Sequence, residues 1–83
     1  MKLRTDGVTW QEIDGELVIL DMQTSAYLTT NVAGAVLAKL LVEERSHEDL
    51  TDALVAEFGI DHDTAAADAA SFTDQLRSKG LLA

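Results

Sequence analysis

The hydrophobic pattern of this chain changes period once, at Asn31, and that change dictates strands first and helices after. Before Asn31 the apolar residues come in short runs between turn signals. Val8, Trp10 and Ile13 are spaced by polar residues, and Glu16-Leu17-Val18-Ile19-Leu20-Asp21 is an apolar run bounded by acids. Asp14-Gly15 stands between them, and both residues tolerate the positive φ of a type I′ hairpin turn. Met22 to Thr24 reads as a second turn and Ser25 to Thr30 as a third strand.

Past Asn31, a plausible N-cap, the spacing becomes helical. Ala33, Val36, Leu37, Leu40 and Leu41 share one face of a first helix. Ser46-His47-Glu48-Asp49 reads as a capping box with aspartate in the usual glutamate place, and Leu50, Leu54 and Phe58 form the next stripe. Gly59 suits a left-handed helix end, with Ile60 folding back on Val55. Asp61 or Asp63 opens a third helix with Ala65, Ala69, Phe72 and Leu76 as its inner stripe; Gly80 closes it and Leu81 packs on Leu76. The order βββααα implies an α+β fold, winged-helix-like, with a three-stranded antiparallel meander and the helices on one face. Residues 1–83 are expected to form a single domain.

Composition then removes whole classes of function. The 83 residues include no cysteine, so disulfides, zinc ribbons, iron–sulfur clusters and thiol nucleophiles are excluded together. Fifteen acidic residues against six basic give a net charge of −9, which repels nucleic acid and anionic membranes and draws in cations. The second helix has no basic residue, and Asp68 and Asp74 on the third would face phosphate. Met1-Lys2-Leu3-Arg4 leads into Thr5-Asp6-Gly7 rather than an apolar signal core, and no run approaches the ~20 residues of a membrane span, so a cytoplasmic protein is expected.

Catalytic constellations are equally scarce. His47 and His62 each fall in the first turn of a helix, where a solvent-facing role outweighs a metal pair. Asp61-His62-Asp63 begins like a calcium loop, but Ala66 and Phe72 stand where glycine and glutamate are needed. The glycines are scattered rather than gathered into a phosphate loop, and no serine follows an aspartate as an acyl carrier requires. No catalysis, cofactor or metal is expected. What remains is a surface. The second strand is apolar on both faces, and helices can cover only one. Ser25 to Thr30 forms an edge strand with no charge, lysine or proline to blunt it. Such an edge is either a homodimer seam or a receptor for an extended peptide. The alanines of the third helix, Ala65, Ala66, Ala67, Ala69 and Ala70, either favour helix alone or leave a shallow channel beside that edge.

The ordered set Gly7-Val8-Thr9-Trp10, Asp14-Gly15 through Asp21, Thr24-Ser25-Ala26-Tyr27-Leu28-Thr29-Thr30-Asn31 and Gly34 resembles the PqqD-like family. So does the end, Asp68-Ala69, Phe72, Leu76 and Gly80-Leu81-Leu82. These are the RiPP recognition elements, small winged-helix-like domains that bind the leader of a ribosomally made precursor peptide. A standalone chain of this size looks most like the leader-binding proteins of lasso-peptide pathways. The chain departs from the pattern at Ser25, where glycine is common, in a first helix without tryptophan, and at Thr73, where a large apolar residue is usual.

The resemblance implies that a leader adds as a strand and lies between the third strand and the third helix. Carried over by position, Ser25, Ala26, Tyr27, Leu28 and Thr29 are the strand contacts, and Asp68, Ala69, Phe72 and Leu76 match the helix-three pattern. It also implies a separate cysteine-type leader peptidase and a cyclase as partners. The alternative is an acidic winged-helix protein that dimerises through its edge strand and regulates transcription.

Overall fold

The Asp14-Gly15 turn starts the sheet. Both residues have positive φ, 54° and 83°, and they join β1 (Val8–Ile13) to β2 (Glu16–Asp21) with Ile13 opposite Glu16. The computed structural model describes every residue, 1–83. A short β3 (Tyr27–Thr29) pairs antiparallel with the far side of β2, giving the order β1-β2-β3. Three helices follow: α1 (Val32–Leu40), α2 (His47–Phe58) and α3 (His62–Ser78). This is the α+β, βββααα architecture that the change of period predicts.

The helix ends are set by local chemistry. Asn31 Oδ1 accepts the Gly34 N–H at 2.8 Å and starts α1. Ser46 and Asp49 close the capping box reciprocally, at 3.0 and 2.9 Å. Gly59, at φ 64°, ends α2 by donating its N–H to the Val55 carbonyl. Asp61 is the N-cap of α3, without a side-chain hydrogen bond.

One face of the sheet is covered and the other is not. Leu17, Ile19 and Leu28 point inward and meet Leu37, Leu41, Leu50, Leu54 and the inner stripe of α3. Each fully buried side chain of this size contributes about 1.5–3 kcal/mol. In α1 the buried face is Ala35, Leu37, Ala38 and Leu41, while Ala33, Val36 and Leu40 are half-buried. The predicted stripe is rotated because α1 packs against both β2 and α2. Phe58 also departs from its predicted stripe: it is 39% exposed, at the last turn of α2, where the helix runs beyond the core.

The chain ends meet. Leu3 pairs with Leu82, Arg4 N–H donates to the Leu81 carbonyl at 2.9 Å, and Leu3 N–H donates to the Leu41 carbonyl at 2.8 Å. Leu3 and Leu81 are both buried in the core. Arg4 also reaches inward: its Nη1 lies 2.9 Å from Asp21 Oδ2, and Asp21 is almost wholly buried. No helix is long and apolar enough to cross a membrane.

Candidate functional site

Hydrogen bonding along β3 fixes which backbone groups are free. Asp21 N–H donates to the Ala26 carbonyl and Thr30 N–H donates to the Leu17 carbonyl, each at 2.8 Å. Ile19 and Leu28 stand opposite each other midway between these pairs. Ala26 and Leu28 therefore turn their carbonyls, and Leu28 and Thr30 their N–H groups, toward β2. Antiparallel alternation leaves both groups of Tyr27 and Thr29 directed outward. No strand lies beyond β3, so these two residues present an open edge. It carries no charge or proline to discourage pairing.

The strand is shorter than predicted, and Ser25 lies outside it. Ser25 has φ 63° and donates its N–H to the Asp21 carbonyl at 2.8 Å, closing the turn that precedes β3. A left-handed residue cannot continue a ladder, so Ser25 shapes the edge rather than extending it. Ala26 N–H is taken up by Thr24 Oγ1 at 3.3 Å. At the other end Thr30 replaces a backbone rung with its side chain, Oγ1 accepting the Leu17 N–H at 3.0 Å, as the chain leaves the sheet for α1.

Beside the edge runs a groove walled by α3. Its first part, about 320 Å³, is lined by Thr29, Asn31, Ala33, Leu37, Asp68 and Phe72 among others. Its second part, about 390 Å³, is lined by Leu28, Asp74, Ser78 and Lys79. Ser71 and Gln75 line both, so the two parts adjoin along α3. Asp68, Ser71, Phe72, Gln75 and Lys79 recur at three- and four-residue steps, which is one face of a helix.

Of the helix-three residues singled out by sequence, only Asp68 and Phe72 reach the groove. Ala69 and Leu76 are wholly buried and belong to the core. The alanines do not form the channel either. Ala65 and Ala69 are buried on the side of α3 that packs against α2, where small side chains permit close approach, and no alanine of α3 lines the groove. Ser71, Gln75 and Lys79 also line it, and sequence reasoning does not single them out. The signal available for them was their helical spacing from Asp68, one step round from the buried stripe.

Phe72 is held in the groove floor by close packing from α1. A Cβ placed on Gly34 would stand 2.9 Å from Thr30 Cβ and 3.1 Å from Phe72 Cε1. The polar rim is unevenly engaged. Asp74 is paired with Arg77 at 2.9 Å, whereas Asp68 and Lys79 make no ion pair within the chain. Away from the groove, Ile13, Val18, Leu20 and Tyr27 occupy the uncovered sheet face, with Ile13 and Tyr27 more than half exposed. His62 Nε2 lies 3.3 Å from Glu48 Oε1, both exposed, and neither histidine lines the groove.

This geometry has close counterparts. No curated protein matches the chain. A solved structure described as TbiB1 in complex with the TbiA(beta) leader peptide is 35% identical, covering 99% of this chain and 94% of that one at a TM-score of 0.86. A second, described as lasso peptide synthetase B1 complexed with the leader peptide, shares the fold at a TM-score of 0.81 and 24% identity, over 96% of this chain and 93% of that one. The family described as coenzyme PQQ synthesis protein D matches residues 16–82, which span β2 through α3 and the tail that seals the core. The chain therefore belongs to the PqqD family.

Proposed function

We propose that residues 1–83 act as one RiPP recognition element that binds the leader segment of a ribosomally made precursor peptide. The leader pairs with the outward backbone groups of Tyr27 and Thr29 and lays alternate side chains into the groove along α3. Asp68 and Phe72 are its helix-three contacts; Ala26 and Leu28 hold the edge strand in register from within. The observation that carries this reading is the open, uncharged edge of β3 directly beside a groove lined by α3. Membership of the PqqD family and likeness to a chain solved with a leader peptide support it.

The protein acts in the cytoplasm by binding, without catalysis or cofactor. It presents the precursor to a separate cysteine-type leader peptidase and to a cyclase in lasso-peptide biosynthesis. The regulatory alternative is disfavoured by the net charge of −9 and by the acids on α3.

Calorimetric titration with synthetic peptides matching the leader and core halves of a lasso-peptide precursor is the test. Saturable one-to-one binding of the leader half, none of the core half, and faster leader removal by the partner peptidase are expected. Sequence-dependent binding of duplex DNA, with no heat from the leader, would reverse the assignment.

A further inference from the structure

The two unpaired charges on the groove sit at opposite ends of it. Asp68 lines the part of the groove that Thr29 and Asn31 also line, where β3 runs into α1. Lys79 lines the part that Leu28 and Ser78 also line, toward the other end. Every other charged group on the α3 wall is accounted for, since Asp74 is held by Arg77. The edge of β3 by itself is indifferent to what adds to it, because its open groups are backbone. The charges are not indifferent.

Resting on the reading of β3 and α3 as a peptide receptor, we infer that the groove selects a charge-ordered segment: a lysine or arginine beside Asp68 and an aspartate or glutamate beside Lys79. The direction follows from the geometry. β3 runs toward Asn31, so a strand added antiparallel to it has its N-terminal end at Asp68 and its C-terminal end at Lys79. Antiparallel pairing is the more stable arrangement per residue. The spacing follows as well. The helix between the two residues is about 16 Å long at ~1.5 Å per residue, and an extended strand covers that in about five residues. Side chains on one face of a strand are an even number of residues apart, so the ligand reads basic first and acidic four or six residues later. A segment of reversed polarity places like charges together at both ends and is rejected, so the same groups give orientation and discrimination.

Selection from a displayed library of random 15-residue peptides tests this, with the wild-type chain, Asp68→Lys, Lys79→Glu and Thr29→Pro as baits. Both charge variants alter solvent-facing side chains, and circular dichroism checks that each is folded. Wild-type binders should share a basic residue followed four or six positions later by an acidic one, and should bind Asp68→Lys about fivefold or more weakly. Asp68→Lys should select an acid at the first of those positions, and Lys79→Glu a base at the second. Binders that are lost on Thr29→Pro but carry no charge order would overturn the inference while leaving the strand-addition reading intact. Binders indifferent to Thr29→Pro, or no binders at all, would overturn both.

Discussion

Two small residues near the site have opposite demands on their Cβ. Ser25 stands at φ 63°, a conformation that costs an L-residue about 1–2 kcal/mol and glycine almost nothing. Allowing for the greater entropy of glycine in the unfolded chain, Ser25→Gly is expected to stabilise the fold by about 0.5–1 kcal/mol. Gly34 is the reverse case. Alanine there gains helix propensity worth up to about 1 kcal/mol, but its Cβ would meet the branched Thr30 Cβ at 2.9 Å. Overpacking of that kind costs about 1–3 kcal/mol, so Gly34→Ala should lower the unfolding free energy and displace the Phe72 ring. Urea denaturation of both variants checks the opposite signs. Asp21 shows what the sequence could not display. It reads as one of two acids bounding a strand, yet Glu16 is exposed and Asp21 is buried against an arginine from the chain start. The Arg4 guanidinium first, and the Gln23 N–H second, hold the Asp21 carboxyl below the usual carboxylate range. Hydrogen bonds from the chain amino group and from the Ser46 N–H lower Glu44 and Asp49 in the same sense. A depressed folded pKa gives stability that is present above the unfolded value, about 4, and lost as pH falls through the folded value. Melting temperature should therefore hold near neutrality and fall below about pH 4. Arg4→Met should melt lower at neutral pH, and its deficit should shrink in acid; an equal deficit at every pH would contradict the pairing.

At the scale of elements, legibility follows how local the determining interaction is. The hairpin turn, the Asn31 cap, the Ser46–Asp49 box and the Gly59 terminus all involve residues within a few positions of each other, and all are where the sequence puts them. The faces of the helices are harder, because a face is chosen by what packs on it. In α1 the stripe rotates to meet two partners, and in α3 the alanines serve α2 rather than the groove. The length of β3 was hidden for a different reason: one left-handed residue, Ser25, ends it, and serine gives no sign of positive φ. The edge itself was legible from composition, but its alternation was not. Only the pairing of Ile19 with Leu28 reveals that Tyr27 and Thr29 face outward. It follows that the four positions from Ala26 to Thr29 are not equivalent. Proline at Leu28 removes an inner rung and a buried side chain and should unfold the sheet. Proline at Tyr27 or Thr29 removes a donor that β2 never uses.

At the scale of the molecule, the two chain ends form a seam that no local pattern announces. Leu3 is buried against the core and donates its N–H to the Leu41 carbonyl, and its bridge with Leu82 is held by the flanking bonds from Arg4 N–H to the Leu81 carbonyl and from Ala83 N–H to the Lys2 carbonyl. A domain of this length has a total stability of about 4–12 kcal/mol. Leu3→Ala, at about 2–5 kcal/mol, would remove a large share of it, and chemical denaturation should show the midpoint fall accordingly. The seam, the Arg4–Asp21 pair and the core together leave β3 as an edge backed by a rigid body, so that a ligand strand pairs with a fixed template. Thr29→Pro puts that to the most direct test. Leu28 before it is already extended, as a residue preceding proline prefers, so the fold should survive with little change in melting temperature. A leader strand would lose a hydrogen bond worth about 0.5–1.5 kcal/mol and meet the proline ring. Fluorescence polarisation with a labelled leader should show roughly tenfold weaker binding or worse, about 1.4 kcal/mol. Binding at wild-type strength to folded Thr29→Pro would contradict strand addition at β3.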